Sequence, residues 1–251
     1  MTLISLLLLA ALLPYLSHSA SVEVGIVNGT EVIPHSRPYM VSIQKKGKHI
    51  CGGFLVSERF VMTAAHCRKK KKRLTVVLGA HDLSNKKEGS IRMKVKKYYR
   101  HPDYNIKTHD NDIMLVKLRG RAKKSNTVNW ISIPKTNEGI KANTVCSVAG
   151  WGRTGSSKSG SKRLLETKIT IVAKKQCKKL WENRLTRRMI CAVHPGGSCK
   201  GDSGGPLVCG DIAVGIVSFG QKNKCDAPTK PKIFAKISAF LPWIKSIIQK
   251  V

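Results

Sequence analysis

The sequence predicts an all-β chain, a barrel or a sandwich, closed by one C-terminal helix. Three observations carry this reading. Apolar bursts of strand length recur from residue 26 onward, turn residues separate them, and only the final stretch changes its hydrophobic period. The bursts are Tyr39-Met40-Val41-Ser42-Ile43, Phe60-Val61-Met62, Leu74-Thr75-Val76-Val77-Leu78, Ile113-Met114-Leu115-Val116, Val145-Cys146-Ser147-Val148, Lys168-Ile169-Thr170-Ile171-Val172 and Ala213-Val214-Gly215-Ile216-Val217. Gly52-Gly53, Gly79, Gly150, Gly152, Gly155 and Gly160 punctuate them. After Ser238, the residues Phe240, Trp243, Ile244, Ile247, Ile248 and Val251 recur at spacings of three and four, one face of a helix. Ser238 is placed to cap it, and Pro242 is tolerable only in its first turn. Residues 155–160 (GSSKSG) read as a surface loop, and no repeat of 20–50 residues is visible.

The 251 residues fit one large domain or two small ones. Lys plus Arg is 46 and Asp plus Glu is 14, a formal net charge of +32, yet 41% of the residues are hydrophobic. That apolar fraction excludes a charged disordered chain. Eight cysteines point to an oxidising compartment. Residues 3–13 (LISLLLLAALL), followed by Pro14 and the small residues Ser17, Ser19 and Ala20, read as a signal peptide ending near residue 20, although no basic side chain precedes the run. The alternative, a membrane anchor, needs about 20 apolar residues. The expected product is soluble, and secreted or stored in a secretory granule.

Three motifs carry chemistry: Thr63-Ala64-Ala65-His66-Cys67, Asn111-Asp112-Ile113-Met114-Leu115 and Gly201-Asp202-Ser203-Gly204-Gly205-Pro206. A serine hydroxyl needs a base to attack at neutral pH; His66 can take its proton and return it to a leaving group, and Asp112 can fix the imidazole tautomer. Gly201 and Ser203 backbone N–H groups can form an oxyanion hole, glycine allowing close approach. The third motif also fits the broad G-x-S-x-G pattern of α/β-hydrolases, but there the order is Ser, acid, His on alternating strands and helices. Here the order is His, Asp, Ser on a β-rich chain.

With these motifs, Ile26-Val27-Asn28-Gly29, Val148-Ala149-Gly150-Trp151-Gly152 and Ser218-Phe219-Gly220, the sequence resembles chymotrypsin-fold serine proteases from Ile26 to the C-terminal helix. Residues 34–40 (PHSRPYM) and 111–118 (NDIMLVKL) are similar to granzymes. The resemblance implies two six-stranded antiparallel β-barrels with a C-terminal α-helix, a serine endopeptidase with the triad His66, Asp112 and Ser203, and an active site between the barrels. The other possibility for this fold is an inactive pseudo-protease.

The resemblance also implies an activation pair, the freed amine of Ile26 on Asp202. Gly25 precedes Ile26, so a trypsin-like activator has nothing to cut. Residues 21–25 read as a short propeptide removed by a dipeptidyl peptidase, ahead of a protease domain over 26–251; signal cleavage after Ser19 or Ser21 leaves an even number of residues. Eight cysteines allow 105 pairings. The resemblance selects Cys51–Cys67, Cys146–Cys209, Cys177–Cys191 and Cys199–Cys225, the last being similar to granzymes A and K. No two cysteines sit at zinc-binding C-x₂₋₄-C spacing.

Substrate choice rests on a pocket implied to contain Gly197, Ser198, Lys200, Ser218, Gly220 and Lys232. The position that carries Asp in trypsin-like members, six before the nucleophile, is Gly197. Lys232 falls where granzyme B, which prefers Asp at P1, has Arg. An ammonium in a partly desolvated pocket predicts Asp above Glu at P1, with looser discrimination than a guanidinium fork gives. Lys200 at the pocket mouth adds positive potential, and Asp226 weakens Lys232 if it folds back. The alternative is that Lys232 snorkels to solvent and the open pocket takes Phe, Tyr, Leu or Met.

Removing residues 1–25 takes away one acid, Glu23, and no base, so the charge rises to +33. Basic runs include Arg68-Lys69-Lys70-Lys71-Lys72-Arg73, Lys94-Val95-Lys96-Lys97, Lys174-Lys175 and Lys178-Lys179. They predict sulfated proteoglycan as a partner, weakened by salt, or else only a soluble, self-repelling surface. No nucleic-acid motif is present, so nucleic acid is an adventitious partner. A second function class is a cationic antimicrobial protein in which proteolysis is secondary. The one sequon, Asn28-Gly29-Thr30, lies beside the new N-terminus, where a glycan crowds the inserting end. No cluster resembles a calcium or zinc site and Pro231 disfavours sodium, so no cofactor or metal is expected. All eight cysteines are paired in this scheme, which predicts a monomer.

Overall fold

The structure is a computed structural model that describes residues 26–68, 73–85, 87–194, 196–222 and 224–249. The expected signal peptide and propeptide, and Lys69–Lys72 of the first basic run, lie outside the described residues. Thirteen strands and two α-helices make up the described chain. The first barrel uses β2 (Met40–Lys45), β3 (Lys48–Ser57), β4 (Phe60–Thr63), β5 (Thr75–Leu78), β6 (Ile91–Arg100) and β7 (Met114–Leu118). They close in the order β2-β3-β4-β7-β6-β5, every pair antiparallel. The apolar bursts read from the sequence become β2, β4, β5 and β7. Their side chains fill a core around Phe54, Leu55, Phe60, Met62, Leu78 and Leu115.

The second barrel uses β8 (Val145–Gly150), β9 (Leu165–Ile171), β10 (Met189–Val193), β11 (Pro206–Cys209), β12 (Ile212–Phe219) and β13 (Lys232–Lys236). The order is β9-β10-β13-β12-β11-β8, and β8 pairs back onto β9 to close it; the two-residue strand β1 (Thr30–Glu31) adds to the outside of β9. The expected two six-stranded barrels are therefore present. Register shifts fall in both, and one bears on the site. Val217 pairs with Phe234 and Phe219 with Ile233, so Ser218 is the extra residue of a bulge in β12. A bulge bends its strand and re-aims the side chain it carries.

The barrels meet through backbone. Gly52 N donates to Ser203 O at 2.9 Å, and a Cβ on Gly204 (φ +84°) would overlap the Thr63 hydroxyl. Trp151, fully buried, donates its indole N–H to His81 O at 2.9 Å across the same seam.

The C-terminal helix α2 (Leu241–Ile248) has Pro242 in its first turn, as expected. Ser238 does not cap it. Residues Ile237–Phe240 form a 3-10 turn, and Ser238 Oγ donates to Asn137 Oδ1 at 3.1 Å instead. Phe240 and Ile244 enter the core shared with the first barrel, so the end of the chain clamps back onto its beginning. A second helix, α1 (Lys174–Trp181), was not legible in the sequence. Its buried face is only Cys177 and Trp181, one turn apart among four lysines. No described helix is long and apolar enough to cross a membrane.

All four disulfides form in the pairing that the resemblance implied. Cys146–Cys209 joins β8 to β11 across 63 residues of sequence, and Cys177–Cys191 joins α1 to β10 across 14. Loop-closure entropy grows with the closed loop, about 4 kcal/mol for the first and about 3 kcal/mol for the second. Urea denaturation of the double Cys→Ser variants is expected to show the larger loss for Cys146/Cys209.

Candidate active site

His66 lies on a 3-10 turn, Ala65–Cys67, directly after β4. Buried Ala64 and Ala65 and the Cys51–Cys67 bridge to β3 fix that turn. Asp112 sits just ahead of β7, the antiparallel neighbour of β4, so two adjacent strands bring His66 and Asp112 together. His66 Nδ1 is 2.7 Å from Asp112 Oδ2, and the His66 backbone N–H donates to Asp112 Oδ1 at 2.9 Å. The Ser218 hydroxyl, turned inward by the bulge in β12, donates to Asp112 Oδ2 as well. Ser218, expected in a substrate pocket, borders a cavity beside Ser203, and its hydroxyl is held by Asp112.

Asp112 is 1% exposed. Burial alone raises a carboxyl pKa, but the imidazoles of His109 and His66 and the Ser218 hydroxyl outweigh it and hold Asp112 well below the usual carboxylate range. His109 was missed in the sequence. Its Nδ1 is 3.5 Å from Asp112 Oδ2, an electrostatic distance rather than a hydrogen bond, and its ring lies edge-on to His66 at 5.3 Å.

Ser203 sits in a loop of turns ahead of β11, where two cavities meet. A cleft of about 580 Å³ runs past His66, Gly201 and Ser203, and a pocket of about 260 Å³ opens on the other side, also lined by Ser203. The Ser203 hydroxyl has no hydrogen bond among the described residues. Gly201 has φ +110°, and a Cβ there would lie 2.8 Å from Gly152 Cα. No described acceptor takes the N–H of Gly201 or of Ser203, so both donors are open. The Gly201 carbonyl is held from behind by His49 Nε2 at 3.0 Å. Burial lowers the pKa of His49 and keeps it neutral, so its Nε2–H donates to Gly201 O and its Nδ1 accepts from Ser42 Oγ at 2.8 Å. This positioning relay was also missed; neither His49 nor Ser42 lies in a recognisable motif.

Asp202 is buried, with Oδ1 accepting from Gly152 N and Oδ2 from Cys199 N, each at 2.8 Å. A Cβ on either Gly150 or Gly152 would overlap its carboxylate, which gives the Gly150-Trp151-Gly152 motif a physical reason. Burial pushes the Asp202 carboxyl up to about 6, against the Cys199 and Gly152 hydrogen bonds and the charge of Lys232. Ile26 is fully buried in the core of the second barrel, and Val27 pairs with Gly197 through bonds of 3.1 and 3.0 Å. Gly197, expected in the substrate pocket, is held by this backbone bridge to Val27.

Ser198, Lys200, Gly220 and Lys232 line the smaller pocket. Lys232 is 5% exposed, and a Cβ on Gly220 would meet its Cδ at 2.8 Å and its Nζ at 3.3 Å. The ammonium therefore lies against Gly220 in the pocket wall rather than snorkelling. Burial lowers its pKa, and the charges of Asp202 and Asp226 raise it. Asp226 forms no ion pair with Lys232 among the described residues and acts on it only through its charge; its carboxylate accepts from Ser156 N at 2.9 Å. No acid lines this pocket among the described residues.

Two six-stranded barrels with a serine, a histidine and a buried aspartate at their seam define a serine-protease scaffold. The trypsin family profile matches residues 26–244, and the chain belongs to that family of serine proteases, among granzyme- and cathepsin G-like members. It is 42% identical to mouse granzyme B(G,H) over 89% of this chain and 91% of the relative. It is 40% identical to human cathepsin G over 97% and 94%, and 41% identical to rat granzyme-like protein 1 over the full length of both. The structure of neuropsin, a serine protease of mouse brain, superposes with a TM-score of 0.82 at 34% identity, covering 88% of this chain and 99% of that one.

The depressed Asp112 carboxyl sets a pH dependence. Its contribution to stability is present above the ordinary carboxylate pKa, about 3.9, and is lost as pH falls toward the lower folded value. Urea midpoints measured between pH 5 and pH 2.5 are expected to fall more steeply for the unmodified chain than for Asp112→Asn.

Proposed function

We propose that the chain is a secreted, granule-stored serine endopeptidase that cleaves after acidic residues, Asp ahead of Glu. Lys232 carries this reading: a buried ammonium in the wall of a pocket with no lining acid among the described residues. Ser203 Oγ attacks the scissile carbonyl as His66 Nε2 takes its proton, and Asp112 stabilises the imidazolium. The N–H groups of Gly201 and Ser203 receive the oxyanion, with His49 holding the Gly201 peptide in place. His66 gives the proton to the leaving amine, and water repeats the sequence to free the acyl-enzyme. The P1 side chain enters the smaller pocket beneath Lys200 and reaches Lys232.

Activation follows the same electrostatics. Among the described residues the Asp202 carboxylate has only peptide donors within hydrogen-bond reach, and burial raises its pKa. Freeing the Ile26 amine supplies a cation inside the barrel that already buries both residues. A signal peptide that ends near residue 20, cut after Ser19 or Ser21, and a short propeptide that runs to Gly25 precede the protease domain. The chain works as a monomer.

Sulfated proteoglycan is the proposed storage partner. On β6 the side chains of Arg92, Lys94, Lys96, Lys97 and Arg100 are exposed. The ammonium of Lys117 on β7 is lowered by slight burial and by the charges of Lys96, Arg59 and Lys97 beside it, a crowding that a polyanion relieves.

Three outcomes test this reading. The chain beginning at Ile26 cleaves a peptide library after Asp, and Lys232→Gly shifts that preference to Phe or Leu; a preference for Phe or Leu before the substitution overturns the acidic reading. Ser203→Ala lowers kcat by about 10⁶-fold. The chain beginning at Gly25 is inactive beside the one beginning at Ile26.

A further inference from the structure

The second histidine at the buried aspartate gives the site a property that proteolysis does not use. His109 Nδ1 is buried and has no hydrogen-bond partner among the described residues. It lies 3.5 Å from Asp112 Oδ2, and His66 Nδ1 lies 2.7 Å from the same oxygen. One ligand atom from each of His66, His109 and Asp112 falls within 4.8 Å of the other two. On a tetrahedral zinc ion with bonds of about 2.0–2.1 Å, two ligand atoms sit about 3.3 Å apart. The His109–Asp112 pair already has that spacing, and the His66–Asp112 pair reaches it by opening about half an ångström. Two imidazoles and a carboxylate are a common zinc donor set, with water as the fourth ligand. Tyr104 and Phe219 wall the His109 ring, at 6.4 and 5.5 Å between centroids. The side chains of His66 and His109 remain 19% and 28% exposed, which leaves a path from solvent.

We propose that His66, His109 and Asp112 form an inhibitory zinc site, a reading that rests on His66 and Asp112 being the protease's catalytic pair. Zinc on His66 Nδ1 moves that ring's proton to Nε2. No proton is gained or lost, but Nε2 then donates and cannot accept the proton of Ser203. The active site is switched off without being unfolded, and chelation restores it. The sequence shows no such cluster because His66 follows β4 whereas His109 and Asp112 precede β7, and only the pairing of those strands brings the three together.

Titration calorimetry of zinc chloride into the chain beginning at Ile26 and carrying Ser203→Ala tests the site without turnover. The expected result is one ion per chain at micromolar affinity, weakened about tenfold or more by His109→Leu. His81→Gln, which removes another buried histidine beside a carboxylate, leaves the affinity unchanged. In the active chain, zinc stops peptide cleavage reversibly, and His109→Leu raises the half-inhibiting concentration by the same factor. No binding at sub-millimolar zinc, or binding indifferent to His109→Leu, overturns the proposal. If His109→Leu does not fold, His109→Gln removes the imidazole and carries the same test. A chain that cleaves no peptide refutes the protease reading, whereas the titration on the Ser203→Ala chain still reads the zinc site.

Discussion

A single buried carboxylate holds the functional seam together. Asp112 comes from the first barrel and takes hydrogen bonds from His66, also of the first barrel, and from Ser218 on the bulge of the second. A charge with 1% of its surface exposed persists only if donors surround it. The fold supplies them from both sides of the seam, two from His66 in the first barrel and one from Ser218 in the second, so a relative shift of the barrels costs Asp112 its Ser218 hydrogen bond. The same donors set the His66 tautomer: Nδ1–H faces Asp112, and Nε2 is left to accept. Packing of the two barrels and readiness of the base are thus one constraint.

Asp202 is the counterpart in the second barrel, with the opposite electrostatic sense. Asp112 is stabilised as an anion, whereas burial raises Asp202 to about 6 because peptide donors replace water incompletely. The cradle is shaped by missing side chains: Gly150 and Gly152 leave room for the carboxylate, and Gly201 passes close to Gly152. Asp202 lies between Gly201 and Ser203 in sequence. Anything that fixes its carboxylate therefore also constrains the peptides of Gly201 and Ser203, which line the cleft.

Lys232 shows how burial converts a common residue into a specific one. The surface carries lysines throughout, most of them solvated and exchangeable in their electrostatic effect. Lys232 is buried at the start of β13 and lies along Gly220, so its ammonium has lost most of its water. A desolvated cation interacts more strongly with an entering anion than an exposed one does. The strand register, not the lysine count, distinguishes it from its neighbours on the surface.

The amino-acid sequence alone determined the β-rich class, most strands of the first barrel, the C-terminal helix and the motifs of His66, Asp112 and Ser203. Each is written locally, as a period, a turn residue or a short run of small residues. Likeness to the family added the disulfide pairing and the closure into two barrels. The helix α1 was hidden because four lysines mask its two buried positions, and Ser238 was read as a cap because its distant partner Asn137 was invisible. Ser218 on Asp112, His49 on Gly201, His109 beside Asp112 and the Gly197 bridge to Val27 were decided only by tertiary structure. They depend on a strand bulge, on glycine-permitted backbone approach and on the meeting of two barrels. Local sequence patterns encode which face a residue shows, but not which distant group that face will meet.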